Sequence, residues 1–164
     1  MAKMYLMCGC SGAGKTTFSK EFAKKHNIKY LGIDDFYASY NGDELDRSNT
    51  FEVWIEFWKA IHDAEVNRMD CIIDTNALTV CDRTQFIDWF SNFEHHLIYI
   101  ETETKLREKN NHSRRRHVPD DVMVQMAKRL VVPSYDSDDV RWKTISIVKN
   151  VNNIFLEPII LTNN

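Results

Sequence analysis

The stretch that decides the fold runs from Gly9 to Thr16 and reads Gly-Cys-Ser-Gly-Ala-Gly-Lys-Thr. It fits the pattern G-x-x-x-x-G-K-[ST], follows a short apolar stretch from Met4 to Cys8, and leads into a segment of helical periodicity. At average residue usage, a chain of this length matches the pattern by chance in roughly 0.5% of cases. The pattern therefore predicts a phosphate-binding loop between a strand and a helix.

Such a loop binds phosphate because its backbone N–H groups converge on the phosphate oxygens. We expect Gly9, Gly12 and Gly14 to keep the loop open, since side chains there would block the approach of phosphate. Lys15 is predicted to reach the β- and γ-phosphates, and the Thr16 hydroxyl to join the coordination shell of Mg²⁺. A nucleoside triphosphate with Mg²⁺ is the expected ligand. The predicted nucleotide-binding residues are Gly9, Cys10, Ser11, Gly12, Ala13, Gly14, Lys15, Thr16 and Thr17.

Composition limits the other possibilities. The chain has 164 residues, with 43% hydrophobic and 27% charged residues, which fits one globular domain over residues 1–164. Its net charge of -3 predicts no bulk attraction to nucleic acid or membrane, so a polyanion site must be a local patch. No leader or membrane-spanning stretch is visible, and four cysteines without a secretory signal indicate reduced thiols and a cytoplasmic location.

Strand and helix patterns alternate along the chain. This alternation predicts an α/β fold, a three-layer sandwich in which helices cover both faces of a mainly parallel five-stranded sheet. Ligands of such sheets bind at the carboxyl ends of the strands. The predicted strands are 4–8, 29–33, 71–74, 96–100 and 144–148, and the predicted helices are 16–26, 49–67, 80–93, 103–111 and 120–130.

Two carboxylates, Asp34 and Asp35, close the second predicted strand. Because neighbouring strand residues point to opposite faces, we expect only one of them to face the site. A kinase needs a carboxylate there to orient the acceptor hydroxyl and take its proton, and we assign that role to Asp34. The alternative is that both residues cap the next helix or turn.

The third predicted strand ends in Asp74, Thr75 and Asn76. An Asp at this place serves Mg²⁺ through water or holds the acceptor. Arg83 follows about two helical turns later, where we expect it to point back at the substrate. The alternative for Arg83 is an ordinary surface position.

Positive charge gathers between Lys105 and His117, a segment that contains Arg114, Arg115 and Arg116. These three arginines lie between two predicted helices, so we predict a lid at about residues 105–119 that closes over the transferring phosphoryl group. The alternative is a solvated helix end. The acidic stretch at 136–139 is expected to repel a long polyanion.

The helix predicted at 49–67 carries Trp54 and Trp58 at helical spacing. Aromatic stripes of this kind usually pack into the core, and we expect the same of these two residues. Stacking of a base on Trp54 or Trp58 is the less favoured alternative.

Taken together, the loop at 9–17, the Asp34-Asp35 pair, the Asp74-Thr75-Asn76 end with Arg83, and the segment 109–119 resemble the P-loop kinases related to the 5'-kinase domain of phage polynucleotide kinase. The resemblance covers about residues 4–139.

The resemblance implies ATP and Mg²⁺ as cofactors and a 5'-hydroxyl end of DNA or RNA as acceptor. Lys15 and a lid arginine would assist catalysis, Asp34 would be the general base, and Asp74 would hold the acceptor. We therefore predict catalytic roles for Asp34, Lys15, Arg115 and Arg116, a metal-binding role for Thr16, and substrate contacts from Asp34, Asp35, Asp74, Asn76, Arg83 and Arg114.

The chain departs from that family in two places. Tyr37 and Ala38 stand where the family has an acceptor-binding arginine, and Ser113 stands at the usual position of the catalytic lid arginine. The phosphatase signature D-x-D-x-T of the phage enzyme is absent from the 164 residues. Two other functions stay open: a kinase of a small hydroxyl acceptor or nucleoside, and a nucleotide-dependent switch or ATPase.

Overall fold

A computed structural model describes residues 1–115, 117–138 and 140–163. The predicted alternation of strands and helices is confirmed, with changes at some boundaries and three additional elements. The strands are β1 (Ala2–Cys8), β2 (Lys29–Gly32), β3 (Cys71–Asp74), β4 (Phe93–Thr102), β5 (Thr144–Val151), β6 (Ile154–Phe155) and β7 (Ile159–Thr162). The helices are α1 (Lys15–His26), α2 (Ile33–Asn41), α3 (Thr50–Val66), α4 (Val80–Trp89), α5 (Thr104–His112) and α6 (Asp120–Arg129).

The five predicted strands form a parallel sheet in the order β2-β3-β1-β4-β5. The prediction of a five-stranded sheet is incomplete, since β6 and β7 both pair antiparallel with β5 and raise the number of strands to seven. The parallel order places the carboxyl ends of β1, β2 and β3 side by side at one edge.

Helices cover both faces of this sheet, which confirms the three layers. Met4 and Leu6 of β1 are fully buried in a cluster that contains Phe57 of α3 and Phe86 of α4. Met7 points the other way and packs in a second cluster with residues of α1. This opposite placement follows from the alternation of side chains along a strand.

The second strand ends one residue earlier than predicted, and a helix follows it without a connecting loop. Helix α2 begins at Ile33, so Asp34 and Asp35 lie in its first turn. Carboxylates are favourable there because the helix dipole is positive at its N-terminus. The expectation that the two side chains alternate across a strand is therefore wrong.

The boundary between α4 and β4 also differs from the prediction. Helix α4 ends at Trp89, because Phe93 already pairs with Ala2 at the start of β4. At its other end, α4 begins with a capping box in which the Thr79 hydroxyl accepts from Asp82 N–H and the Asp82 carboxylate accepts from Thr79 N–H.

A buried ion pair joins α4 to the chain that follows α6. Arg83 is fully buried, and its Nε and Nη2 donate to the two carboxylate oxygens of Asp138 at 2.6 and 3.0 Å. The remaining nitrogen, Nη1, donates to the backbone carbonyls of Ala77, Leu78 and Val131. The pair thus fixes three separate stretches of backbone around one guanidinium.

Two further features concern the chain as a whole. No helix within the described ranges is long and apolar enough to cross a membrane. All four cysteines are free thiols, of which Cys8, Cys10 and Cys71 are buried and Cys81 is exposed. Burial raises the pKa of the Cys8 thiol to about 11, which keeps it protonated at neutral pH.

Replacing Arg83 by alanine is expected to lower the free energy of unfolding by about 3–5 kcal/mol, because it leaves the Asp138 carboxylate buried without its partner. Urea unfolding measures the change. The control is Arg141→Ala, which breaks an exposed ion pair with Asp88, a residue of the same helix as Arg83. It is expected to lower the free energy of unfolding by about 1 kcal/mol or less. Equal losses in the two variants would contradict the structural role assigned to Arg83.

Candidate active site

A pocket of about 660 Å³ opens at the edge of the sheet where β1, β2 and β3 end. The loop after β1, the first turn of α2, the end of β3 and the residues just after α5 line it together. The cavity therefore lies where we expect ligands to bind, at the carboxyl ends of the parallel strands.

The loop between β1 and α1 supplies the floor of the pocket. Gly14 precedes α1 in the left-handed region, with φ of +99°, and none of the described side chains caps the N-terminus of that helix. Its N–H groups and positive dipole end are therefore available to an anion in the pocket. This end of α1 fits the phosphates of a nucleoside triphosphate.

Lys15 is the first residue of α1, directly after this loop, and is 8% exposed. Its ammonium donates to the carbonyl of Cys10 at 2.9 Å. Burial lowers the pKa of Lys15, while the nearby Asp74 carboxylate acts in the opposite direction. The side chain is held beside the phosphate-binding backbone and lines the pocket.

The loop glycines make room for protein neighbours, a reason that differs from the predicted one. A Cβ at Gly12 would overlap the backbone carbonyl oxygen of Arg107 in α5. A Cβ at Gly14 would lie 2.9 Å from the Asn150 amide and 3.1 Å from the Phe155 ring. The absent side chains thus let α5 and the β5–β6 hairpin close against the outside of the loop.

Three side chains hold the loop from outside, and the sequence analysis missed all three. Thr102 and Asn150 donate to the carbonyl of Ala13 at 2.9 and 2.8 Å, and Asn110 donates to the carbonyl of Gly12 at 3.0 Å. In a planar trans peptide the N–H points away from the carbonyl, so the Gly14 N–H faces the side opposite to these donors. The fixed carbonyls therefore orient the loop for phosphate binding.

The predicted nucleotide-binding residues divide into two groups. Ser11, Gly12, Gly14, Lys15, Thr16 and Thr17 line the pocket, whereas Gly9, Cys10 and Ala13 lie buried behind it and contribute to the loop's shape.

Asp74 at the end of β3 faces the loop. Its Oδ2 accepts hydrogen bonds from the Thr16 hydroxyl at 2.6 Å and from the Tyr30 hydroxyl at 3.0 Å. Burial raises the pKa of Asp74, and the Lys15 charge and the two hydrogen bonds oppose that shift. A hydroxyl beside a carboxylate is a donor set that suits Mg²⁺ and its bound waters. This geometry favours the metal-side role among the two that the sequence left open for Asp74.

Tyr30 is a site residue without a signal in the sequence. Its ring crosses over Gly32, where a Cβ would overlap it. Burial and the Asp74 carboxylate raise the pKa of Tyr30, so its hydroxyl stays a donor.

Asp34 lines the pocket beside an arginine that the sequence analysis also missed. The Asp34 carboxylate accepts from Arg47 Nη2 at 2.7 Å, and the Arg47 guanidinium covers the ring of Tyr37 at 3.9 Å. Arg47 comes from the segment between α2 and α3. The available signal was an arginine in a polar stretch soon after the Asp pair, at a greater distance than positions 37 and 38, where the family has its arginine.

Asp35 and Asn76, for which we predict substrate contacts, also line the pocket. Asp35 is exposed and its Oδ2 lies 3.6 Å from Lys20 Nζ. The carbonyl of Asn76 accepts from Gly9 N–H at 3.0 Å and so joins the end of β3 to the start of the loop.

Arg83 does not reach the pocket, and the structure contradicts its predicted contact with substrate. Its side chain is fully buried, and its guanidinium N–H groups donate to Asp138 and to backbone carbonyls. The alternative of a surface arginine is equally wrong. The same pair turns Asp138 inward, so part of the acidic stretch is structural and does not face solvent.

The predicted lid at about 105–119 divides into two parts: residues up to His112 belong to α5, and the loop that follows α5 contributes to the pocket lining. The Asn111 amide donates to the Val118 carbonyl at 2.7 Å and accepts from Val118 N–H at 2.9 Å, which closes the two ends of the loop together. Arg114 and Arg115 line the pocket, and Arg115 donates to Asp43 at 3.0 Å. Arg116, the other predicted catalytic arginine, lies outside the described residues.

The two tryptophans of α3 have different surroundings. Trp58 is partly buried against the core and packs on Trp89 at 4.0 Å and on Phe86 at 5.9 Å between ring centroids. Trp54 is partly buried, packs on Phe57, and also lines the pocket.

Comparison of the whole fold finds kinases among the solved structures. A sugar kinase from Janibacter sp. HTCC2649 is 17% identical, with a TM-score of 0.60 over 91% of this chain and 86% of that chain. A gluconokinase from Sinorhizobium meliloti 1021 is 14% identical, with a TM-score of 0.62 over 90% of this chain and 82% of that chain. A chain of the Pnkp1/Rnl/Hen1 RNA repair complex is 18% identical, with a TM-score of 0.69 over 79% of this chain and 44% of that chain.

At these identities the structural likenesses show the fold alone. A comparison with proteins of curated function gives no significant match. A family model, in contrast, covers most of the sequence: the AAA_33 model, described as an AAA domain, matches residues 4–133. With the loop, its lysine and the kinase-like sheet in place, the chain belongs to the AAA_33 family of P-loop kinase domains.

Proposed function

We propose that this protein is an ATP-dependent kinase that transfers the γ-phosphate to the 5'-hydroxyl end of DNA or RNA. The observation that carries the proposal is the position of Asp34, which lines the same pocket as Lys15 and Thr16 from the first turn of α2. A carboxylate there orients an acceptor hydroxyl toward the nucleotide's terminal phosphate. We further propose that residues 1–164 form one kinase domain that acts in the cytoplasm, in keeping with four free thiols.

The residues of the pocket divide the reaction between them. Lys15 and the N-terminus of α1 bind the phosphates, and Thr16 and Asp74 would hold Mg²⁺, which would supply positive charge to the phosphates of the bound nucleotide. Asp34 accepts the hydroxyl proton as the acceptor oxygen bonds to the γ-phosphorus and the bond to ADP breaks. Arg114 and Arg115 stabilise the charge of the transferring group from the lid, and we extend the same role to Arg116.

Three arginines in the pocket lining support a nucleic acid acceptor. The chain carries a net charge of -3, yet Arg47, Arg114 and Arg115 all line the pocket. The Arg47 guanidinium lies beside the general base, where it suits the phosphate that follows the terminal nucleoside. The sequence lacked an arginine at positions 37 and 38, and Arg47 supplies one from a different segment.

A small hydroxyl acceptor is the second candidate. The fold is shared with a sugar kinase and a gluconokinase, whose acceptors are small. The acidic stretch at 136–139 argues for a small acceptor, since it would repel a long polyanion. That argument is weakened, because Asp138 of this stretch is buried against Arg83. A nucleotide-dependent switch or ATPase is less favoured, since such proteins need no carboxylate on the acceptor side.

An acceptor panel tests the proposal. With γ-labelled ATP and Mg²⁺, we expect label on 5'-hydroxyl DNA or RNA oligonucleotides, and we expect it to vanish in Lys15→Ala, which loses the phosphate-binding ammonium. Transfer to the oligonucleotide should weaken as ionic strength rises. Label only on sugars or nucleosides would instead assign the small-acceptor kinase, and free phosphate without acceptor would assign the ATPase.

Replacing Arg47 by alanine is expected to lower kcat/KM for an oligonucleotide about 10- to 100-fold, because a charged hydrogen-bond donor beside the acceptor is lost. ATP affinity should not change, since Arg47 lies away from the loop that binds phosphate. Steady-state kinetics with the oligonucleotide varied measures the effect, and Arg47→Lys should recover part of it. A loss confined to ATP binding would contradict the acceptor-side role.

A further inference from the structure

Trp54 is an aromatic side chain of α3 that lines the pocket and has no role in the proposed mechanism. It lies one turn into the helix, between the core and the pocket. Its neighbours Val53 and Phe57 are fully buried, whereas Trp54 is only partly buried and lines the cavity together with Asp34. An indole with one part in the core and one part at a polar cavity is placed for ligand contact.

The core holds the Trp54 ring in place. Its centroid lies 5.5 Å from that of Phe57 in an edge-to-face contact at 89°, and 5.7 Å from that of Trp58 at 45°. These contacts fix the ring on its inner side, so a ligand stacking on the indole does not have to order a mobile side chain first.

A second flat group lines the same part of the pocket. The Arg47 guanidinium covers Tyr37, and the Tyr37 hydroxyl donates to Thr50 Oγ1 at 3.1 Å. Thr50 Oγ1 in turn donates to the Arg47 carbonyl at 2.7 Å. The start of α3, which carries Trp54, is therefore tied directly to the segment that places Arg47 beside Asp34.

An acceptor pocket built from an indole and a guanidinium suits a ligand with a planar ring and a phosphate. A sugar or sugar acid offers hydroxyls and no aromatic ring for Trp54 to stack on. A base has an aromatic face, and stacking on an aromatic side chain contributes about 1–3 kcal/mol per base.

Resting on the proposed function, we propose that Trp54 is the stacking platform for the base of the acceptor's terminal nucleotide. Trp54 then selects acceptors that carry a base next to the hydroxyl that is phosphorylated. Its contribution is to acceptor binding, and Asp34 retains the chemical step.

The test compares two oligonucleotides that differ at one place: a 5'-hydroxyl oligonucleotide, and the same molecule with an abasic sugar as its terminal residue. Both keep the hydroxyl and the phosphates, so the comparison isolates the base. For wild type we expect the KM of the abasic acceptor to be about 10-fold higher, with a smaller change in kcat.

Trp54→Ala should raise the KM of the ordinary oligonucleotide about 10-fold and leave that of the abasic one unchanged. Trp54→Phe should recover most of the loss, because a smaller ring still stacks. The matched control is Trp89→Ala, which removes an exposed tryptophan of the same aromatic group that is not part of the pocket lining. It should leave both KM values near wild type.

Equal KM values of wild type for the two acceptors would overturn the proposal without any variant, even where Trp54→Ala fails to fold. A Trp54→Ala effect that is the same for both acceptors would overturn it as well. If wild type phosphorylates no oligonucleotide, the proposed function fails together with this inference. If oligonucleotides are phosphorylated without preference for the terminal base, only the role of Trp54 fails.

Discussion

The hydrogen bond from the Thr16 hydroxyl to the Asp74 carboxylate joins two parts of the chain that are 58 residues apart. It ties the loop after β1 to the end of β3, the strand that pairs with β1 in parallel. Because Lys15 precedes Thr16 and Tyr30 also donates to Asp74, this contact fixes the nucleotide-binding loop relative to β2 as well. The nucleotide side of the pocket therefore has one defined position against the acceptor side.

The rest of the structure supports that contact from two directions. On the outside of the loop, Asn110 of α5 and Asn150 of β5 donate hydrogen bonds to the loop carbonyls. The chain after β4 therefore contributes to the shape of the loop. On the inside, β2 passes directly into α2 and carries Asp34 to the far wall. The loop after α5, whose two ends Asn111 joins, adds Arg114 and Arg115 to the lining of the same pocket.

The sequence predicted those features that depend on local pattern. The loop at 9–17, the five parallel strands and the position of Asp34 in the pocket follow from residue spacing and from the geometry of parallel sheets. Helix α2 was not predicted, because Ile33 continues the apolar run of β2. Asp34 and Asp35, which lie in the first turn of that helix, were therefore interpreted as the end of a strand. Contacts between distant segments were harder: Arg47 reaches Asp34 from another loop, and Arg83 turns inward because Asp138, 55 residues away, meets it in the core.

The most direct test of the account is phosphoryl transfer in a single turnover by Asp34→Asn, with ATP binding measured on the same preparation. We expect the rate to fall about 100-fold or more while ATP affinity stays at the wild-type value, because the amide cannot take the hydroxyl proton, although its oxygen can still accept from Arg47. Asp46→Asn is the control, since Asp46 lies in the neighbouring segment outside the pocket lining and accepts from the Ser48 N–H. Transfer at the wild-type rate by Asp34→Asn would contradict the assignment of Asp34 as the general base.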